Sequence, residues 1–195
     1  MNQIRAEFLR QLAEFGQAND QQATRRDERL LNITPDTGPF LALLIKATQA
    51  RAVLEIGTSN GYSTIWLADA VQATGGHVTT VEVNEARATQ ARHNFQQAAF
   101  IDTITLEVTP AESFLPTIAS NSFDFIFLDS DRTQYCAWWP LLHRLLRPGG
   151  LMVVDNAVSH QHQLVAFLAL VEATRGTETS LVPLGKGELL IWKQR

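Results

Sequence analysis

The sequence lacks most of the features that mark secreted, membrane-bound or disulfide-stabilised proteins. One of its 195 residues is cysteine, Cys136, so it can form neither an intrachain disulfide nor a multi-cysteine metal site. No apolar run approaches the roughly 20 residues that span a bilayer. The opening stretch MNQIRAEFLRQLAEF lacks the apolar core of a signal peptide. We therefore expect a cytoplasmic protein that does not associate with membranes.

An excess of positive charge is also missing. The formal net charge is −4, and the densest basic pair, Arg25-Arg26, is followed by two acids. A nucleic-acid-binding protein would carry a basic face or stripe, so we expect no nucleic-acid partner. The composition, 45% hydrophobic and 18% charged, is typical of a folded soluble protein, and the length fits a single domain over residues 1–195.

Hydrophobic periodicity divides the chain into a helical beginning and an alternating remainder. Residues 2–31 carry apolar side chains at helical spacing, and a second helix is predicted through residues 40–45, after a break at 34–36. We interpret residues 1–50 as a helical cap. Its apolar surface exceeds what one helix needs, so the cap either covers an active site or pairs two subunits in a homodimer.

From residue 51 onward, predicted strands and helices alternate. The predicted strands are 52–56, 77–82, 103–108, 123–129, 151–155, 180–183 and 188–193, and the helices are 63–71, 85–99, 111–118, 138–146 and 161–174. Alternation of this kind predicts an α/β fold, a mainly parallel sheet with helices on both faces. The short connection at 183–187 suits a hairpin, so at least one of the last two strands should be antiparallel to its neighbour.

Polar side chains stand where several predicted strands end. They are Glu55, Glu82, Asp129, Asp155 and Asn156. Burying such groups without partners is costly, and ligands of open α/β sheets bind at the carboxyl ends of strands. Taken singly, each residue could equally cap a helix or face solvent. A shared ligand site accounts for all of them together.

The first loop, residues 55–63, has the pattern of a site for a cationic amino-acid group. Gly57 and Gly61 permit a sharp turn and a close backbone approach, but their G-x-x-x-G spacing is not the G-x-G-x-x-G of dinucleotide folds. An acid within the preceding strand, Glu55, suits a cationic amino-acid tail better than a pyrophosphate. Glu82, at the end of the second strand, is placed to accept hydrogen bonds from ribose hydroxyls.

Four strings carry a resemblance to a known family: VLEIGTSNGYS, VTTVEV, FDFIFLDSDRTQY and LLRPGGLMVVDN. In this order and spacing they resemble the class I S-adenosylmethionine-dependent O-methyltransferases of the caffeoyl-CoA and catechol type, including small bacterial members. The resemblance covers about residues 32–156, with a weaker echo at 183–193. It implies a Rossmann-like sheet of seven strands with a reversed C-terminal strand, formed by residues 51–195.

The resemblance also implies a cofactor site for S-adenosylmethionine. The methionine part would be held by the first loop, the ribose by Glu82 and the adenine beside Ala111, with Asp131 and Trp138 along the cofactor. The predicted cofactor-binding residues are Glu55, Gly57, Thr58, Ser59, Gly61, Ser63, Glu82, Val83, Ala111, Asp129, Asp131 and Trp138.

The same resemblance implies a divalent metal, usually magnesium or calcium, held by Asp129, Asp155 and Asn156. Two carboxylates and one amide form an all-oxygen set that suits such a hard cation. A strand-end turn is the alternative reading of Asp155-Asn156, because both residue types favour turns.

The expected reaction is methyl transfer to a catechol- or phenol-like hydroxyl of a small molecule, with Asp129, Arg132 and His160 as candidate catalytic residues. A metal would acidify the hydroxyl and hold it in line with the methyl group. Many relatives have lysine where this chain has Arg132, and arginine is a poor base. His160 and His162 are candidates for the base or for substrate contact, and exposed loop histidines are the alternative.

Three other readings stay open at this point. A nicotinamide-dependent oxidoreductase would need a G-x-G-x-x-G loop that is not evident here. A cofactor-binding protein without chemistry and a metal-independent methyltransferase both fit the strings.

Gly185-Lys186-Gly187 replaces a Gly-Asp-Gly of many relatives, so the substrate cannot be carried over. Trp138 and Trp139 either wall an aromatic site or pack in the core.

Overall fold

The computed structural model describes residues 3–195 as a seven-stranded sheet with helices on both faces. Met1 and Asn2, which fall in the predicted domain and helical segment, lie outside the described residues. The helices are α1 (Gln3–Gln22), α2 (Thr37–Thr48), α3 (Tyr62–Gln72), α4 (Glu85–Gln97), α5 (Ala111–Phe114), α6 (Tyr135–Leu145) and α7 (Gln161–Ala173). The strands are β1 (Ala52–Ile56), β2 (His77–Glu82), β3 (Ile104–Val108), β4 (Phe123–Leu128), β5 (Leu146–Val154), β6 (Thr177–Val182) and β7 (Glu188–Lys193).

The strand order is β3-β2-β1-β4-β5-β7-β6, and it confirms the predicted fold class. Strands β1 to β5 pair in parallel, whereas β7 is antiparallel to both β5 and β6. The order reverses between β1 and β4, so the carboxyl ends of these strands form the switch point where ligands of open α/β sheets bind.

Two apolar clusters, one on each face of the sheet, hold the helices in place. Neighbouring residues of β1 divide between them: Val53 belongs to the cluster under α1 to α4, and Leu54 to the cluster under α5 to α7. Successive side chains of a strand point to opposite faces, so a fully buried strand supplies both clusters. Full burial of one such side chain contributes about 1.5–3 kcal/mol.

Two strands begin earlier than the sequence predicts. Strand β5 starts at Leu146 rather than at residue 151, because a bulge opposite Phe123 and Phe125 and the left-handed backbone of Gly149 (φ 81°) keep the RPGG stretch within the strand. Strand β6 starts at Thr177 rather than at residue 180. It is the exposed edge strand of the sheet, and the polar start of TETSLV gives little strand signal.

The predicted helical segment 2–31 is wrong beyond residue 22. Helix α1 ends at Gln22, and residues 23–36, the α1–α2 connection, contain only a short 3-10 turn at 26–28. The carboxylate of Asp20 accepts hydrogen bonds from the backbone N–H groups of Leu30 (2.6 Å) and Leu31 (2.8 Å). These contacts fold the connection back against the end of α1 and direct it across the carboxyl edge of the sheet.

Within residues 3–195, no helix combines the length and apolar character needed to cross a bilayer. The cytoplasmic location and the division of the chain at residue 50 stay predictions.

Candidate functional site

A cavity of about 990 Å³ opens at the carboxyl edge of the sheet, above the switch point. This volume lies at the upper end of the roughly 300–1,000 Å³ usual for ligand sites. Its wall is formed by the α1–α2 connection, the loop after β1, the end of β2, the loop after β4, the turn after β5 and the β6–β7 hairpin. Six segments distant in sequence therefore meet around one space.

The loop after β1 depends on two glycines. Gly57 has a φ of +107°, and a Cβ there would overlap the backbone oxygen of Asp129. Gly61 has a φ of +85°, and its Cβ would overlap the ring of Phe95. Because L side chains rarely adopt such backbone conformations, both positions require glycine. The backbone of this loop can consequently approach a ligand closely.

Glu55 supports the loop from below. Its side chain is fully buried, and its carboxylate accepts hydrogen bonds from Ser63 Oγ (2.6 Å), Thr64 Oγ1 (2.5 Å) and Thr80 Oγ1 (2.6 Å). Burial raises the pKa of Glu55 to about 7, and the three hydroxyl groups oppose that rise. Glu55 thus lies under the cavity wall, and its predicted contact with a cofactor stays a prediction.

Glu82 lies at the wall itself, at the end of β2. One carboxylate oxygen accepts from the backbone N–H of Ser59 (2.8 Å), and the other accepts from the N–H of Asn84 (2.9 Å). These two contacts tie the first loop to the second strand. Val83 follows with a largely exposed side chain.

Most of the predicted site residues meet at this cavity. The wall includes Gly57, Thr58, Ser59, Ser63, Glu82, Val83, Asp129, Asp131, Arg132, Asn156 and His160. Outside the wall lie Glu55, Gly61, Ala111, Trp138 and Asp155.

Two predicted cofactor-binding residues are buried in the apolar core, and their contacts with a cofactor stay predictions. Ala111 is buried at the start of α5, and Trp138 is buried in α6 with its ring 6.1 Å from that of Tyr135. Trp139 stacks edge-on against Phe167, with ring centroids 5.8 Å apart. This geometry places both tryptophans in the core rather than along an aromatic wall.

The predicted metal ligands lie together after β4 and β5. Asn156 Nδ2 donates to Asp129 Oδ1 (3.1 Å) and to Asp155 Oδ2 (2.8 Å). Asn156 adopts the left-handed conformation (φ 66°) that asparagine tolerates, so the strand-end turn and the clustering of ligands occur together. Burial and the adjacent negative charge of Asp155 raise the pKa of Asp129 well above its ordinary value.

This donor set fits a hard divalent cation, because two carboxylates and an amide oxygen are its usual protein ligands. The amide N–H groups of Asn156 now face both carboxylates. To coordinate a cation, the amide would have to turn so that its oxygen, and not its nitrogen, faces the cation. Among the described residues, no three His, Cys, Asp or Glu side chains converge on their own as a metal site. The set therefore depends on the Asn156 amide.

Glu188, at the start of β7, was not predicted as a site residue. It is fully buried and accepts a hydrogen bond from Thr37 Oγ1 (3.0 Å). Burial, and then the negative charge of Asp155, raise the pKa of Glu188 to about 9. The reversal of β7 brings its first residue to the same edge as the ends of β4 and β5. An acid at the start of a reversed last strand is the signal that could have revealed it.

The α1–α2 connection also lies at the site, whereas the sequence left open whether the cap of residues 1–50 covers an active site or pairs two subunits. Its contribution to the wall comprises Thr24, Arg26, Arg29, Leu30, Leu31, Asn32 and Ile33. Ser59 Oγ donates to the carbonyl of Leu30 (2.7 Å), and Arg87 donates to that of Arg29 (2.7 Å). The connection thus closes the cavity over the first loop.

The candidate catalytic residues Arg132 and His160 face the cavity from neighbouring segments. Arg132 Nε donates to Gln163 Oε1 (2.7 Å), and His160 Nδ1 lies 2.9 Å from Ser159 Oγ. Partial burial lowers the pKa of His160, and the positive charge of Arg132 lowers it further. The imidazole is therefore neutral at neutral pH and able to accept a proton. His162 is exposed and is not part of the wall.

Comparisons with known sequences all lead to the same protein family. The family model described as O-methyltransferase matches residues 5–187. Over 126 residues the chain is 43% identical to a catechol O-methyltransferase of Mycobacterium tuberculosis, a match that covers 65% of the chain and 57% of that relative. A catechol O-methyltransferase of Niastella koreensis is 35% identical over 131 residues, 66% of the chain and 59% of the relative. The chain thus spans less than two thirds of the length of these two relatives.

Comparisons with solved structures give the same family, and these matches cover more of this chain and of the related chains. The O-methyltransferase of Bacillus cereus in complex with SAH has a TM-score of 0.81 at 26% identity, over 96% of this chain and 91% of that chain. A Klebsiella pneumoniae structure described as a putative O-methyltransferase has a TM-score of 0.83 at 28% identity, over 96% and 90% of the two chains.

Proposed function

This chain belongs to the O-methyltransferase family, and on that premise we propose that it transfers a methyl group from S-adenosylmethionine to a hydroxyl group of a small catechol- or phenol-like molecule. The observation that carries the proposal is one cavity shared by the glycine loop after β1, Glu82 and the metal-ligand set after β4 and β5. The nicotinamide alternative finds no support, because the loop lacks the dinucleotide spacing.

The residues of the wall suit the parts of the cofactor. The backbone of Gly57 and Thr58 and the hydroxyl of Ser63 would hold its amino-acid end, and Glu82 would accept hydrogen bonds from its ribose. Asp131 would extend this polar surface along the cofactor. When bound, S-adenosylmethionine supplies a methyl group activated by its attachment to a sulfonium.

The acceptor would lie on the side of Asp129, Asp155 and Asn156. These residues would hold a magnesium or calcium ion, which supplies positive charge that lowers the pKa of a hydroxyl bound to it. A cation there would also offset the repulsion between the carboxylates of Asp129 and Asp155.

His160 is the group we assign to accept the proton of the acceptor hydroxyl, because it faces the cavity and is neutral at neutral pH. Arg132 carries a positive charge and is a poor base. Its guanidinium would stabilise the negative charge that develops on the acceptor oxygen.

Calorimetry with S-adenosylhomocysteine, with and without Mg²⁺, tests the proposal, followed by a screen of catechols and hydroxycinnamates. We expect binding of the cofactor product, and methylation that falls in the presence of a chelator. Asp155→Asn should retain cofactor binding and lose at least about 10-fold in Mg²⁺ affinity and in activity. The thermal shift that Mg²⁺ produces measures that affinity without turnover.

Asp102→Asn is the matched control, since it makes the same change at an exposed turn before β3. Absence of S-adenosylhomocysteine binding would contradict the proposed function as a whole. Full activity of Asp155→Asn in chelator would favour the metal-independent methyltransferase. Cofactor binding without turnover of any acceptor would favour the binding protein without chemistry.

We further propose a homodimer in which the exposed apolar side chains of the cap are buried. Ile4 and Phe15 on α1 and Leu43 on α2 are more than half exposed, at 82%, 51% and 65%. Analytical ultracentrifugation of the wild type and of Phe15→Glu would measure this association directly.

A further inference from the structure

Six basic residues line the cavity, and besides Arg29 and Arg87 they come from four separate segments of the chain. Arg26 comes from the α1–α2 connection, Arg132 from the turn after β4, His160 from the start of α7 and Lys186 from the β6–β7 hairpin. We call these residues the basic wall. Arg26, Arg132 and Lys186 are each close enough to His160 for their charge to lower its pKa, so the four side chains share one part of the cavity, which we assign to the acceptor.

The hairpin that carries Lys186 is fixed against the turn after β5. The backbone N–H of Ser159 donates to the carbonyl of Lys186 (2.9 Å), and that of Ala157 donates to the carbonyl of Gly187 (2.8 Å). A Cβ on Gly187 would overlap Val158, so the contact needs glycine at this position. Lys186 is therefore held at the cavity by the same turn that contains Asn156.

The side chains of Arg132 and His160 are also oriented by neutral partners. Gln163 accepts from Arg132 Nε, and Ser159 Oγ contacts His160 Nδ1. These contacts leave the terminal N–H groups of Arg132 and the second ring nitrogen of His160 without a hydrogen-bond partner in the described part of the chain. Both side chains therefore have donors or acceptors left for a ligand.

The charge of the basic wall is not neutralised by ion pairs. Among the side chains that the structure describes, Arg26, Arg132 and Lys186 form no salt bridge with a carboxylate. The positive charges of all three act on the imidazole of His160 and lower its pKa. Unpaired cations converging on one cavity create a positive potential that attracts an anion.

The acidic residues of the site do not remove this potential when a metal is bound. Asp129 is the acid on which the charges of Lys186 and Arg132 act. Its negative charge would be offset by a cation held with Asp155 and Asn156. Glu82 and Asp131 would then be the carboxylates of the cavity wall whose charge no metal offsets.

We propose that the basic wall binds a carboxylate carried by the methyl acceptor, so that the substrates are hydroxylated aromatic acids rather than neutral catechols. This inference rests on the proposed function and specifies its substrate class. Lys186 and the terminal N–H groups of Arg132 supply charge-assisted hydrogen bonds, and Arg26 adds charge at the mouth of the cavity. A carboxylate suits this wall better than a doubly charged phosphate, because the negative charge of Asp131, which also lines the cavity, repels two charges more than one.

The test compares protocatechuate, a catechol with a ring carboxylate, with catechol itself. Calorimetry measures both dissociation constants for protein saturated with S-adenosylhomocysteine and Mg²⁺. We expect protocatechuate to bind more tightly than catechol, and Lys186→Gln to reduce that preference about 10-fold, the loss expected for one charged hydrogen bond. Arg26→Gln should reduce it by a smaller factor, and Lys186→Arg should retain it.

Arg92→Gln is the matched control, because it removes one positive charge from the exposed surface of α4 and should leave the preference unchanged. Benzoate and inorganic phosphate, added as competitors, distinguish a carboxylate site from a phosphate site, and benzoate should compete better. A preference that survives both Lys186→Gln and Arg26→Gln would overturn the inference, as would stronger competition by phosphate.

Failure of the proposed function gives a different result. S-adenosylhomocysteine would then not bind, and benzoate titrated into the cofactor-free protein would still measure the anion site in the wild type and in Lys186→Gln. Equal benzoate affinity of the two proteins would overturn the inference in that case too.

Discussion

The two halves of the cavity differ in how far the protein satisfies its own polar groups. On the nucleoside side, Glu55 accepts three hydroxyl hydrogen bonds and Glu82 accepts two backbone N–H groups. On the acceptor side, Arg26 and Lys186 have no carboxylate partner among the described residues. The polar groups of the nucleoside side, which we call the built half, have hydrogen-bond partners before any ligand arrives. The charges of the acceptor side are left for the substrate. Cofactor binding should therefore depend on backbone shape, and substrate choice on charge.

The largest effect on ligand affinity should follow from Gly57→Ala, which changes the backbone of the built half directly. The new Cβ overlaps the backbone oxygen of Asp129, and the φ of +107° strains any L residue. We expect S-adenosylhomocysteine affinity to fall at least about 100-fold by calorimetry, as a displacement of about 1 Å can cost.

Gly176→Ala is the control for this substitution. Gly176 also has a positive φ (+78°), but the nearest atoms to its Cβ lie 3.9 Å away. It carries the conformational cost without the overlap and should retain cofactor binding. Equal affinity losses in the two variants would show that backbone strain, and not the close approach of the loop to Asp129, limits the site.

The next effect concerns Glu55 and pH. Burial raises its pKa from the ordinary 4.5 to about 7, so its neutral form stabilises the fold fully below pH 4.5, and this stabilisation is lost as the pH rises through 7. Glu55→Gln stays neutral throughout. Relative to this variant, the wild type should lose about 3 kcal/mol of unfolding free energy over that range.

Urea unfolding of both proteins across this pH range measures the difference. Glu112→Gln, the same chemical change at an exposed position of α5, is the control. A constant difference between the wild type and Glu55→Gln would mean that the pKa of Glu55 is the same in the folded and the unfolded protein. The nucleoside half would then not be satisfied by hydroxyl donors alone.

The smallest effect should come from Arg132→Lys on the acceptor side. Lysine keeps the positive charge but loses the guanidinium geometry that holds Gln163. Arg132 is partly exposed, so we expect kcat/KM to change by less than about fivefold. A larger gain in kcat with a shifted pH profile would identify this position as the base and exclude that role for His160.

The sequence predicted the residues at strand ends and in the glycine loop better than the rest of the site, for a physical reason. Alternating strands and helices impose parallel strands, and parallel strands bring Glu82, Asp129 and Asn156 to one edge whatever the details of packing. The glycine spacing after β1 is equally local. These residues were therefore located at the site from sequence, and the resemblance to the O-methyltransferases is confirmed.

The rest of the site depends on contacts between distant parts of the chain. The α1–α2 connection leaves helical geometry because Asp20 binds the backbone ten residues or more away. Glu188 reaches the site only because β7 is reversed. The ring of Trp138 packs in the core against Tyr135, and its expected place along the cofactor stays a prediction. No local pattern distinguishes these outcomes, because each is decided by tertiary packing.

The reversed last strand has a consequence for how this enzyme family can diversify. Residues 183–187 link an outer strand to its neighbour, so both ends of this turn are anchored while Lys186 at its tip lines the cavity. Exchange or lengthening of such a turn leaves the strand order intact and costs little in chain entropy. Grafting this short turn between relatives is therefore a direct route to new acceptor preferences on an unchanged nucleoside scaffold.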